Sequence, residues 1–194
     1  MAAMTFDAPP ALPDSCAVAF KEWEGVCNAL LDGRQALILR KGGIDEGSGG
    51  FHPEHAAFWL YPTRVHQAQQ GLKPTAGFTD ADQAEGVVAI RGLAVVSRIG
   101  RIDRADRLPA LDDLHVWTAE TVEKRFYYRS PGLWVLGVRV YRRAEPWLLP
   151  ITPEHAGCKT WVPLEAGLST AGLKPVLDDP DFQTQMARLD AALA

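Results

Sequence analysis

Between Ala17 and Leu31 apolar side chains fall at Ala19, Phe20, Trp23, Val26, Cys27, Leu30 and Leu31. Spacings of three and four predict an amphipathic helix over 17–31, with Asp14 or Ser15 as N-cap and Gly33 just past its end. QALILR at 35–40 is too short for a helix and is stopped by Gly42 and Gly43, which predicts a strand. AFWLYP supplies another strand at 57–61. Its period of two sends Phe58 and Leu60 to one face and Trp59 and Tyr61 to the other, and Pro62 is expected to end the pairing. GGIDEGSGGFHPEH, between these two strands, reads as a glycine-rich loop, and 64–85 is polar without a period.

The Val- and Ile-rich stretch 86–102 contains Gly92 and Gly100, which weaken a helix, so a long or bent strand is expected with its centre at 87–97. Thr118 can cap a helix running to about Tyr128. LWVLGVRVY predicts a strand at 133–141, and shorter strands follow at 147–150 and 159–162. Asp179 and Pro180 open a helix over 180–193 with Phe182, Met186, Leu189 and Leu193 on one stripe. The fold class is α+β: a mixed, mainly antiparallel sheet curling toward a small barrel. N- and C-terminal helices flank it, packing through Trp23, Leu30, Phe182 and Leu189. Residues 1–15 read as a disordered lead-in to a single domain over 16–194, because Pro9, Pro10 and Pro13 favour an extended chain.

With 194 residues, 47% hydrophobic, the chain is long enough for one substantial core. No run approaches the roughly 20 apolar residues of a membrane helix, and the N-terminus lacks the pattern of a secretory signal, so a cytoplasmic protein with no membrane partner is expected. Three cysteines without a C-x-x-C pair suggest reduced thiols and no metal site. The net charge of −4 hides a division: residues 91–143 carry 11 basic and 6 acidic side chains, whereas both flanking segments are acidic. A basic middle attracts phosphate or an acidic partner.

Candidate chemistry gathers between Lys21 and Gln67. Arg40 and Lys41 follow each other on a strand and must point to opposite faces, so one of them turns inward and requires an anion such as Glu22 or Glu24. His55, Thr63, His66 and Gln67 emerge around the second strand, and an uncharged imidazole beside Lys41 suits a phosphate or a base edge. His52 and His55 with Glu54 and His66 could make a metal site, but the first pair flanks Pro53 in a loop, where histidines bonded to backbone or water are expected instead. Cys158 has His155 three residues before it, but nothing in the spacing makes the two meet. Arg98, Arg101 and Arg104, spaced by three, together with Arg142, form a candidate basic rim; tight-turn geometry would put the first three on one face.

AFKEWEGVCNALLDGRQALILRKGGI, GGFHPEHAAFWLYPTRVHQ, FYYRSPGLWVLGVRVYR and GCKTWVPL resemble a bacterial family catalogued only as a domain of unknown function, number 1802, over roughly residues 17–165. That resemblance implies no activity. LLDGRQALILR is similar to the helix-to-strand entry of domains homologous to the activating signal cointegrator, of the PUA-like barrel class. Gly33, Arg34, Leu39 and Arg40 match that motif, while Ile38 stands where it has Glu and Gln35 replaces its second Lys. WLYP and KTWVPLEA also resemble the Nudix fold, although TRVHQAQQGLKP lacks the Nudix glutamates. The resemblance implies a nucleic-acid or nucleotide binding module, with RNA, DNA or a nucleotide as partner and no cofactor. The alternative is a hydrolase or transferase acting on a phosphorylated small molecule through the His/Lys cluster. Whether the chain is an enzyme, and its oligomeric state, stay open at this stage.

Overall fold

Two long antiparallel strands, β5 (Val87–Ile102) and β6 (Leu133–Pro150), form the spine of the computed structural model, which describes residues 4–5, 11–41, 54–64, 71–76, 86–155 and 159–194. Six further strands complete one sheet: β1 (Met4–Thr5), β2 (Ser15–Trp23), β3 (Leu37–Arg40), β4 (Ala57–Thr63), β7 (Trp161–Ser169) and β8 (Lys174–Pro175). The order is β3-β6-β5-β4-β2-β7, with β1 added to β5 and β8 to β6. Every pairing is antiparallel except β2 with β4.

The expected curl into a small barrel does not occur. The strand order has two ends, β3 and β7, and no backbone ladder joins them among the described residues. β3 is only four residues long, and its last residue meets side-chain and carbonyl partners instead of a further strand. Arg40 Nη2 donates to the Lys21 carbonyl at 3.1 Å and to Thr160 Oγ1 at 3.0 Å. The outcome is an open, antiparallel-dominant sheet flanked by helices.

The expected helix over 17–31 is half strand. β2 occupies its first part and only Glu24–Leu31 is helical, as α1. β2 lies between β4 and β7 and is buried on both faces, so Ala19 and Phe20 are both inaccessible and no polar alternation marks the strand. The end of the helix follows the sequence signal: Gly33 has φ +72° and Arg34 N–H donates to the Ala29 carbonyl at 3.0 Å.

Pro62 does not end β4, because it sits opposite Glu22 in the parallel ladder. β5 pairs with β4 only over Ala57–Trp59, so the side of β4 facing β5 is open at Pro62 and can spare an N–H. The expected strands at 133–141 and 147–150 are one strand. Ile90 pairs with Trp147 and Gly92 with Arg142, so residues 143–146 bulge opposite Arg91 alone, and this RAEP bulge imitates a turn in the sequence. The last expected strand, 159–162, begins slightly later and runs on as β7.

Helix α2 (Ala119–Tyr127) is capped by Thr118, whose Oγ1 accepts from Thr121 N–H at 3.3 Å. Helix α3 (Asp179–Leu193) is capped by Asp178, accepting from Asp181 N–H at 2.9 Å, with Pro180 in its first turn. Phe182, Met186 and Leu189 of α3 are buried, and the last two lie against Gly137 of β6, where a side chain would block the helix. Apolar side chains fall into two clusters. One holds Phe58 and Leu60 with Phe20, Leu30, Phe126 and Phe182, and the other holds Trp59 and Tyr61 with Ile90, Leu93 and Val162, as the period of two in β4 demands. No helix among the described residues is long and apolar enough to cross a membrane.

Candidate functional site

Because β2 and β4 run parallel, their carboxyl ends lie side by side, with Lys21, Glu22 and Trp23 opposite Tyr61, Pro62 and Thr63. Glu22 is only 2% exposed. Its Oε1 accepts from Trp23 N–H at 2.8 Å, while its Oε2 lies 3.7 Å from Arg40 Nη1 and has no hydrogen bond. Arg40, whose guanidinium also stacks 4.6 Å over the Phe20 ring, thus faces the buried acid that its inward position requires.

A second guanidinium approaches from α2. The Arg125 guanidinium lies 4.3 Å from the ring centre of Trp23 and 5.3 Å from that of Trp117, and no described residue forms a hydrogen bond or ion pair with that side chain. Burial pushes its pKa down to about 10, with Glu22 acting upward and Arg40 downward. Both aromatic contacts are to ring faces, so the in-plane N–H fork keeps its donors free. That fork is the part of an arginine that makes bidentate contacts with phosphate, carboxylate or the O6/N7 edge of guanine.

Arg40 and Arg101 each pair directly with Trp134, from β3 and β5 respectively, so the three side chains form one row across the sheet. Arg101 lies 5.8 Å over the Trp134 ring. Lys41, on the opposite face from Arg40, donates to the carbonyls of Phe126 at 2.9 Å and Gly132 at 2.8 Å, and also to that of Ser130. It closes the carboxyl end of α2, and burial together with Arg101 lowers its pKa. Beyond it Tyr127 and Tyr128 are 53% and 49% exposed, and Arg129, at φ 63°, stacks 5.2 Å over Tyr128. That left-handed backbone is strained for an arginine.

Thr63 Oγ1 reaches the Glu22 carbonyl at 3.4 Å, and His55 stands edge-on to Trp161 at 4.8 Å. His66, Gln67, His52, the glycine-rich loop at 42–50 and Cys158 lie outside the described residues. β6 and β5 separate β3 from β4, so Lys41 and the end of β4 are not on neighbouring strands. The spacing by three in the arginine rim falls on a strand, where Arg98 and Arg101 take opposite faces. Arg98 pairs with Asp190 of α3 at 3.1 Å, Arg104 with Asp106 at 2.5 Å, and Arg142 approaches Asp32 at 3.9 Å. Glu24 is held by Arg64 through two contacts of 2.9 Å.

Cys16 and Cys27 are free and buried, and burial, reinforced by Glu22 and Glu24, keeps the Cys27 thiol well above its ordinary pKa. Among the described residues no three His, Cys, Asp or Glu side chains are grouped to hold a metal ion. The sequence reading missed Arg125 with its two tryptophans, although the run KRFYYR, with cations and aromatics interleaved, carries the signal.

Fold and site together define an open mixed sheet with a cluster of arginines and aromatic rings where β2, β3 and α2 meet. The chain belongs to the family described as domain of unknown function DUF1802, whose model matches residues 19–188. No curated protein matches it. Among solved structures it is similar to ASCH from Zymomonas mobilis, at 12% identity and a TM-score of 0.42 over 88% of this chain and 93% of that one. A serine-to-alanine mutant of that protein matches at 14% identity and a TM-score of 0.39, over 91% of this chain and 98% of the other. A tyrosine-to-phenylalanine mutant matches at 13% and 0.40, over 88% and 96%.

Proposed function

We propose that the chain is a nucleic-acid or nucleotide binding module. Arg40 and Arg125 form its centre with the buried Glu22 behind Arg40, Lys41, His55 and Thr63 are further candidate contacts, as are His66 and Gln67 outside the described residues, and Arg98, Arg101, Arg104 and Arg142 supply outlying positive charge. The observation that carries this reading is Arg125, a half-buried guanidinium held over the rings of Trp23 and Trp117 with no hydrogen-bond partner for its side chain among the described residues. A guanidinium held through its face keeps its donor edge available to an anion or a base edge. Trp134 and the exposed pair Tyr127 and Tyr128 offer faces on which unpaired bases stack, which favours single strands over duplex.

Fluorescence anisotropy with short single-stranded RNA and DNA tests this at low and at physiological salt. Binding of wild type is expected in the micromolar range and should weaken as salt rises, and Arg125→Gln should weaken it by about tenfold or more. Absence of binding at low salt, or a folded Arg125→Gln protein that binds as wild type does, overturns the reading.

A further inference from the structure

At the other end of α1 from Glu22, a cavity of about 570 Å³ opens between the helix terminus and the β6–β8 pair. Leu31 and Val176 give it an apolar wall, and Arg142, Arg143 and Lys174 line it with three positive charges. Arg142 and Lys174 stand directly opposite each other in the β6–β8 ladder. Like charges in that position repel, and the two-residue β8 is held beside β6 by the bond from Val176 N–H to the Val140 carbonyl at 2.9 Å, not by attraction between these side chains. Arg143 is fixed beside them by its stacking 4.4 Å over Trp147 and by the carbonyls of Glu145 at 2.9 Å and of Ser169 and Ala171 at 3.4 Å, without a carboxylate.

The acid in the cavity wall, Asp32, is shared, at 3.9 Å from Arg142 and 3.2 Å from Arg34. The carboxyl end of α1 contributes a further partial negative charge of about one half, so a surplus of positive charge remains. We infer that this cavity is a binding site for a phosphate group. An anion between Arg142 and Lys174 turns their repulsion into two attractions, and the apolar wall accommodates the organic part of the molecule. The site lies apart from Arg125 but shares Arg142 with the outlying charge of the proposed function, so binding of pyrophosphate, which that reading does not require, separates the failure of one from the failure of the other.

Isothermal titration with inorganic pyrophosphate, and separately anisotropy with single-stranded RNA, are to be run on wild type and on the double variant Arg142→Gln, Lys174→Gln. The full chain is used at low salt. Pyrophosphate should bind wild type, and the double variant should lose about tenfold or more in affinity for at least one of the two probes. Loss for pyrophosphate alone assigns the site to a phosphorylated small molecule, and loss for RNA assigns it to backbone phosphate. Relief of the like-charge pair should leave the thermal midpoint of the double variant equal to or above that of wild type. Failure of wild type to bind pyrophosphate, unchanged affinities for both probes, or a marked fall in the midpoint, which would make the cations part of the fold, each overturns the inference.

Discussion

Acidification should destabilise this protein through one buried imidazole. His115 follows the 3₁₀ segment Ala105–Leu114, is 5% exposed, has no hydrogen bond at Nδ1, and lies 5.5 Å from the Trp117 ring. Burial first, then the charge of Lys73, holds its pKa down to about 4 from an ordinary 6.5, with Asp112 opposing. The folded state therefore takes up the proton less readily than the unfolded chain does. The stabilisation by neutral His115 is complete above the ordinary value and is lost as pH falls toward the depressed one. Those two values give a loss of about 2 kcal/mol between about pH 7 and about pH 5, approaching roughly 3 kcal/mol at lower pH. Urea unfolding followed by tryptophan fluorescence, on wild type and His115→Gln over that range, isolates the effect, because the carboxylates titrate alike in both. Wild type should lose about 2 kcal/mol more than the variant; parallel pH dependences would refute the argument. Since Trp117 meets His115 edge-on and lies under the Arg125 guanidinium, the same protonation should loosen the support of Arg125.

Lys41→Ala removes the donor that holds the carbonyls of Phe126, Ser130 and Gly132, and should lower stability by about 1–2 kcal/mol in urea unfolding. An unchanged midpoint would return Lys41 to the role of a free ligand-contacting cation. Gly92→Ala would put a methyl group 2.4 Å from Leu31 Cδ2 and 2.9 Å from the Tyr141 carbonyl oxygen, and a loss of about 1–3 kcal/mol is expected, read as a lowered thermal midpoint.

Where one periodicity dominates, the sequence by itself determined the outcome. The face of β4 that takes Phe58 and Leu60, the Thr118 cap, the Gly33 stop, and the buried stripe Phe182, Met186 and Leu189 are all local consequences of side-chain spacing and backbone preference. The pairing of Arg40 with an acid on the preceding segment was also legible, because a cation turned inward must find one. Tertiary structure decided the rest. Residues 17–23 became a strand because the segment pairs with β4 along one edge and β7 along the other, while the two apolar clusters bury both of its faces and erase the alternation that would have marked it. The sheet stayed open because β3 ends on side-chain partners instead of a ladder, a fact that depends on residues over a hundred positions away, such as Thr160. Lys41 closes a helix, and Arg125 rests on two tryptophan rings without a carboxylate among the described residues, for the same reason. Which cation is left without a partner depends on which carbonyls and rings the folded chain brings to it, and sequence spacing carries no record of contacts made across the sheet.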